Sequence, residues 1–341
     1  MKAEAPDFWW REPGWPSALL AAPAAAYGAV ARWRLDHGER AEAGLPVLCV
    51  GNFTVGGGGK TPTALALGRC AIDLGLKPGF LSRGHGGAAR NAMIVDPERH
   101  RAGLVGDEPM LLAALAPTAI AADRKRGAAL LRAAGADLVI MDDGFQSARL
   151  RPDLALLVVD AERGIGNGRV LPAGPLRAPL VDQVRHADAV LLVGEGEAGG
   201  LAVRSAARAG KPIHEARIVP RDAGRFAGLK VLAFAGIADP DKFYRTLQAI
   251  GAEVAATADY PDHHPLSDDE IADLRRSADR EGLTLATTRK DAARLAGGGP
   301  AACGFAGDVE VLDIDLVFEP QALGERLIRQ TIDAFKARHL R

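Results

Sequence analysis

At 341 residues, 48% of them hydrophobic and 25% charged, the chain is long enough for two packed domains and ordinary in composition for a globular protein. A formal net charge of −1 excludes the basic surplus of a general nucleic-acid binder. Cys49, Cys70 and Cys303 are scattered with no C-x-x-C pair, so neither a disulfide framework nor a zinc site is expected, and a reducing compartment is.

The N-terminus carries Phe8, Trp9, Trp10 and Trp15 ahead of an apolar segment that runs from Ser17 to Ala31 and meets its first charge at Arg32. That run is shorter than the about 20 apolar residues a bilayer span needs. It also lacks the cationic start and the cleavage site of a removed signal peptide. Tryptophans beside an apolar segment, followed by Arg32 and Arg34, suit a helix lying in a membrane interface; an alanine-rich helix packed on the protein's own core fits the same residues.

The apolar run Leu45–Val50 leads into Gly51-Asn52-Phe53-Thr54-Val55-Gly56-Gly57-Gly58-Gly59-Lys60-Thr61-Pro62, and a helical pattern follows. Strand, glycine loop and helix in that order form a phosphate cradle: backbone N–H groups turn inward, Lys60 adds a mobile charge and Thr61 can hold Mg²⁺. Asn52, Thr54, Gly56, Gly57, Gly58, Gly59, Lys60, Thr61 and Pro62 are the expected nucleotide-binding residues. In G-x-x-x-x-G-K-[ST] a glycine would stand where this chain has Thr54.

Further on, short apolar runs alternate with helical patterns. Strands are expected at 78–82, 137–141, 154–159 and 189–193, and helices at 108–115 and 126–134. Fully apolar strands separated by helices imply a parallel sheet covered on both faces, with ligands at the C-terminal strand ends. Asp107, in Gly106-Asp107-Glu108-Pro109, reads by itself as a helix cap. Asp142 and Asp143, directly after a buried strand, suit Mg²⁺ on β- and γ-phosphates, or plain turn chemistry. Arg83, Arg124 and Arg177 fall in loops of this first unit; together they suggest an anionic substrate beside the nucleotide.

A second alternating unit starts near Gly228, with a strand at 228–236, a helix at 242–250, a strand near Val254, a helix at 268–280, a strand at 283–287 and an amphipathic helix at 320–339. Asp262-His263-His264-Pro265 lies in a polar loop, and Ser267 with Glu270 makes a capping box after it. The expected division is residues 1–40 as an interface region, 41–216 as a P-loop domain, 217–228 as a linker, and 229–341 as a smaller α/β domain that includes the C-terminal helix.

Taken together, Val50–Asn52 through Gly56–Pro62, Leu81–Gly84, Gly106–Pro109, Asp142–Gln146, Leu171–Arg177, Tyr260–His263 and Thr288–Ala292 resemble the tetraacyldisaccharide 4′-kinase family, in order and over roughly residues 8–295. The Thr54 departure fits, because the family's loop is atypical there. The resemblance implies two α/β/α domains with the active site in the cleft between them. It implies ATP- and Mg²⁺-dependent phosphorylation of the 4′-hydroxyl of tetraacyldisaccharide 1-phosphate to lipid IVA, at the cytoplasmic face of a bacterial inner membrane. It favours the interfacial reading of the N-terminal segment. It makes Asp107 the expected base, paired with His263, and so replaces the cap reading. His85, Ser147 and Ala178 stand where the family more often has tyrosine, histidine and glutamate, and they receive no role. The rivals are a membrane-associated P-loop switch or assembly ATPase acting on a protein partner, which would not need Asp107, His263 or the arginine set, and a soluble small-molecule kinase with the N-terminal helix docked on the core.

Overall fold

The computed structural model describes residues 5–340. Thirteen strands occur in chain order: β1 (Val47–Asn52), β2 (Pro78–Ser82), β3 (Met93–Ile94), β4 (Thr118–Ile120), β5 (Leu138–Asp142), β6 (Leu154–Asp160), β7 (Ala189–Val193), β8 (Ile213–Pro220), β9 (Lys230–Ala235), β10 (Glu253–Asp259), β11 (Thr284–Thr288), β12 (Glu310–Leu312) and β13 (Ile314–Glu319). Nine of them form one sheet in the order β13-β8-β7-β6-β1-β5-β2-β4-β3; four form a second in the order β10-β9-β11-β12. Within the large sheet only the edge pairs β13·β8 and β3·β4 are antiparallel.

Every residue of β1, β2 and β5 is buried, as continuous apolar runs require when helices cover both faces. Val47, Cys49, Val139 and Met141 point into one core; Leu48, Val50, Leu138 and Ile140 point into the other. The small sheet likewise has a core on each face, one around Phe226 and Leu247 and one around Phe234 and Phe305. Both units are therefore three-layer α/β/α. Strand order reverses around β1, whose neighbours β5 and β6 lead in opposite directions, so a crevice opens at the C-terminal end of β1.

The chain does not divide as the expected linker would have it. β8 continues to Pro220 inside the large sheet, and β13 returns from the small unit to pair with it. The helix Leu323–His339 then packs on the helix Lys60–Asp73, burying Leu323, Leu327 and Ile328 with Leu316 and Phe318 of β13. The reason is the open flank of β8: β13 supplies its hydrogen bonds and an apolar face that the last helix covers.

The N-terminal segment forms helices at Trp15–Leu19 and Ala21–His37. Their inner side is small: Gly28 lies against Pro179 and Val170, and Ser17 donates to the Ala173 carbonyl at 2.6 Å. Among the described residues no helix is long and apolar enough to cross a membrane.

Candidate active site

The glycine loop leaves β1 and enters the helix Lys60–Asp73 through Gly56 and Gly59, both at positive φ (92° and 82°). A Cβ on Gly56 or Gly57 would meet no atom within 4 Å, so the loop curves around open space, as a cradle must. Thr54 is explained by its pairing. It forms an isolated bridge with Leu176, and its carbonyl accepts from Arg177 Nε at 2.8 Å, so an extended residue is needed there and glycine is not. Asn52 braces the loop from below, donating through Nδ2 toward the Gly56 and Gly57 carbonyls (3.3 and 3.4 Å). Pro62 lies at the third position of the helix and lines the cleft.

Lys60 is buried and folds back over the loop, its Nζ 3.2 Å from the Gly56 carbonyl and 3.9 Å from Asp143. Burial lowers its pKa, against the pull of Asp143. Thr61 donates its hydroxyl to Asp142 Oδ2 at 3.2 Å, and Asp142 Oδ1 is buried with no partner among the described residues. Burial, then the neighbouring Glu108 charge, push Asp142 up to about 7. Asp143 stands at positive φ (55°), a strained position for a non-glycine residue, and faces a bidentate fork from Arg177 at 2.6 and 3.1 Å. Burial works against it, but Lys60 and Arg177 hold it down to about 2.

A hydroxyl beside a carboxylate with a free oxygen is a hard-oxygen donor set that fits Mg²⁺, which keeps several waters and phosphate oxygens of its own. Among the described residues no cluster of three or more His, Cys, Asp or Glu could hold a metal. Two protein donors leave the remaining positions of such an ion to phosphate and water oxygens.

The opposite wall forms where the helix Asp107–Ala113 of the large unit meets His263 and the helix Arg289–Ala296 of the small one. Gly106 at φ 97° turns the chain into the helix Asp107–Ala113, and a Cβ there would strike the His85 carbonyl at 2.6 Å. The cap position is thus Gly106, and Asp107 is the first helical residue. Asp107 Oδ1 accepts the Glu108 N–H at 2.9 Å. Its Oδ2 meets His263 Nδ1 at 2.9 Å and Arg294 Nε and Nη2 at 3.0 and 2.9 Å. Burial opposes ionisation, but the His263 hydrogen bond and the Arg294 charge win and hold Asp107 well below the ordinary carboxylate range. An ionised carboxylate only accepts, so His263 carries a proton on Nδ1, and in the neutral imidazole Nε2 is then the lone pair. Asp262 is 3.7 Å from Nε2, beyond a hydrogen bond. The side chain of Asp107 is 3% exposed and that of His263 20%, and His263 alone of the two lines the cleft. His263 itself sits at φ 62°, strain that its loop sustains.

The cleft between the walls has a volume of about 1930 Å³ and is lined by Gly56–Pro62, Glu108, Asp143, Arg177, His263 and Lys290, among others. The three arginines expected to hold substrate are placed differently. Arg177 is committed to Asp143 and Thr54. Arg124 is buried under the Asp143 carbonyl, to which it donates at 3.2 Å. Arg83 is exposed and does not line the cleft. Asp143 thus engages two of the three, Arg177 through its carboxylate and Arg124 through its backbone carbonyl. Of the departing positions, His85 lines the cleft with its ring 6.1 Å from that of His263, Ser147 bonds locally to the Gly144 carbonyl, and Ala178 is fully buried.

Sequence reasoning gave no role to Arg294, Lys290 or Glu108. All three lie on the contact between the helices Asp107–Ala113 and Arg289–Ala296, where Lys290 Nζ meets Glu108 at 2.7 Å. Their signal was Lys290 and Arg294 at i and i+4, two cations on one helix face after a strand.

Comparison with known proteins places the chain among relatives of one description. The model of a family described as tetraacyldisaccharide-1-P 4′-kinase matches residues 16–332. A tetraacyldisaccharide 4′-kinase of Sinorhizobium fredii is 53% identical over 341 residues, covering 100% of this chain and 99% of that protein. One of Agrobacterium fabrum is 50% identical, covering 100% and 98%. LpxK from Aquifex aeolicus, crystallised in complex with ATP, superposes with a TM-score of 0.71 at 26% identity over 93% of this chain and 99% of that one. By its length, its fold and this sustained identity, the chain belongs to the tetraacyldisaccharide-1-P 4′-kinase family.

Proposed function

We propose that this chain transfers the γ-phosphate of ATP to the 4′-hydroxyl of tetraacyldisaccharide 1-phosphate, giving lipid IVA in the synthesis of lipid A. The observation that carries the reading is the meeting of two walls: the glycine loop with Thr61 and Asp142 on one side, and His263 brought across to Asp107 at 2.9 Å on the other. A switch or assembly ATPase has no use for the second wall.

In this reading Lys60 and the loop N–H groups hold the β- and γ-phosphates. Thr61 and Asp142 hold Mg²⁺, which offsets charge on those phosphates when bound. Asp143, neutralised by Lys60 and Arg177, positions the lysine and the loop and leaves direct metal contact to Asp142. Asp107 fixes the tautomer and direction of His263, whose Nε2 takes the hydroxyl proton; the two act as one unit. Because they come from different units, the pair exists only when the cleft is closed, which couples substrate capture to chemistry.

The direct test follows radiolabelled phosphate from ATP. Label on the disaccharide, and ATP turnover stimulated by that lipid, are expected; ATP hydrolysis that leaves the lipid unlabelled overturns the reading.

The same reading places the protein peripherally on the cytoplasmic face of the inner membrane. Support comes from the outward side of the N-terminal helices, where Trp15, Leu19 and Trp33 are 79%, 75% and 61% exposed, with Tyr27 and Val30 between them and Val181 exposed on the adjoining helix Leu180–His186. Large apolar groups face out while Ala24, Gly28 and Leu35 face in, the reverse of a helix built only to cover a core. Burying one large apolar side chain is worth about 1.5–3 kcal/mol, so Leu19→Glu with Trp33→Glu should cut partitioning onto phosphatidylethanolamine–phosphatidylglycerol vesicles by at least about 10²-fold. Co-sedimentation measures it, and unchanged binding removes the stripe from this role.

A further inference from the structure

The acceptor carries a second charged group, a 1-phosphate that does not react and lies two sugar rings from the hydroxyl that does. None of the three arginines expected to hold anionic substrate is a free cation on the cleft wall. The other cleft-lining cations are engaged as well: Lys60 by its own loop and Asp143, Lys242 by Asp160, Lys290 by Glu108, Arg69 and Arg221 by Asp315, and Arg289 by Asp313. Arg101, also on the wall, is exposed and bonded to the Ala296 carbonyl.

Arg163 differs from all of these. It follows β6, with its N–H held by Asp160 at 3.2 Å, and it lines the cleft. Its Cζ lies 3.8 Å from the centroid of the Trp10 ring. Its one side-chain hydrogen bond is a long one, Nη1 to the Ala238 carbonyl at 3.4 Å, and among the described residues no carboxylate comes within ion-pair distance. Trp10 lines the same wall, and its Nε1–H is buried with no partner among the described residues. A guanidinium stacked on an indole keeps its in-plane N–H fork free, and that fork matches a phosphate. Burial lowers the Arg163 pKa, against the pull of Asp239, Asp160 and Asp262, none of them within ion-pair distance, and a bound dianion would offset that cost.

We propose that Arg163, backed by Trp10, is a binding site for a phosphate monoester, and that in the working enzyme it holds the unreacting 1-phosphate of the acceptor and sets its orientation in the cleft. This rests on the acceptor assigned above.

The test uses the full-length protein with Arg163→Gln and Arg163→Lys, in detergent micelles free of anionic lipid. ATP and acceptor are varied separately, and the acceptor is supplied as tetraacyldisaccharide 1-phosphate or as its 1-dephospho form. Losing a charge-assisted bond should raise KM for the 1-phosphate acceptor by about 10- to 100-fold in Arg163→Gln. Arg163→Lys should recover part of this. KM for ATP should stay unchanged, which also reports an intact fold, and with the dephospho acceptor the glutamine variant should match the unaltered protein. A rise in KM for ATP instead assigns the site to the nucleotide's phosphates and overturns the proposal. So does a penalty of equal size with the dephospho acceptor, or no penalty at all. If the unaltered protein labels neither disaccharide, the acceptor assignment itself fails and this site falls with it; if it labels them and the variants behave alike, only Arg163 falls.

Discussion

Asp107→Asn should lower kcat for phosphate transfer by about 10³ while leaving ATP affinity within about twofold. The carboxylate accepts four hydrogen bonds, one from the Glu108 N–H and three from His263 and Arg294, and an amide keeps only one oxygen for them. Its NH₂ must face a donor on one side or the other, and its neutral oxygen holds the Nδ1–H of His263 less firmly than a carboxylate, so Nε2 is no longer reliably the proton acceptor. The proposed ATP contacts lie on the other wall and are untouched, so binding measured by calorimetry separates lost chemistry from lost fold. The variant should also change acid stability. The folded-state pKa of Asp107 is depressed, so its contribution is complete above the ordinary carboxylate range and is lost as pH falls through the lower folded value. The asparagine variant should therefore show a flatter loss of stability with acid, followed by thermal unfolding between about pH 5 and 3. Near-full turnover in Asp107→Asn would remove the pair from the chemistry.

The contrast between the two walls explains what the sequence could tell. Everything on the first wall is local to strand–loop–helix units: Gly56–Thr61 follow β1, and Asp142 ends β5, so spacing along the chain is spacing in the site. The second wall joins residues 156 and 187 positions apart, His263 and Arg294 with Asp107, and no periodicity links such positions. The resemblance brought His263 to Asp107; nothing in the pattern brought Arg294. The arginines were misplaced for a related reason. An arginine beside glycine or proline reads as available, but Arg177 and Arg124 are neighbours of Asp143, a partner visible only once β5 and the Pro175–Arg177 segment are side by side. β13 escaped because its burial alternates, Leu316 and Phe318 inward and Asp315 outward, a weak signal next to the fully apolar strands. Its identity as an edge strand also drew the last helix out of the small unit.

Asp142→Asn should abolish transfer, by about 10³-fold or more, and at the same time stabilise the nucleotide-free protein. The two effects have one cause. Asp142 is fully buried, one of its oxygens has no partner among the described residues, and Thr61 supplies only a neutral hydroxyl to the other. A carboxylate so placed is costly to the fold unless a cation arrives, and the same vacancy of charge is what a phosphate-bound Mg²⁺ requires. Asparagine removes the buried charge and keeps the shape, so the thermal midpoint without nucleotide should rise by about 2–4 °C, as a gain of about 1 kcal/mol gives in domains of this size. Adding ATP with Mg²⁺ should raise the midpoint of the unaltered protein well above that with ATP and a chelator, and this metal-dependent increment should vanish in the variant. Asp143→Asn gives the opposing pattern. It leaves Lys60 and Arg177 without their shared counter-charge, so it should destabilise the protein while retaining part of the Mg²⁺ increment. If Asp142→Asn instead lowers the nucleotide-free midpoint, or keeps the full metal increment, then direct metal contact belongs to Asp143 and the assignment of the two carboxylates is reversed.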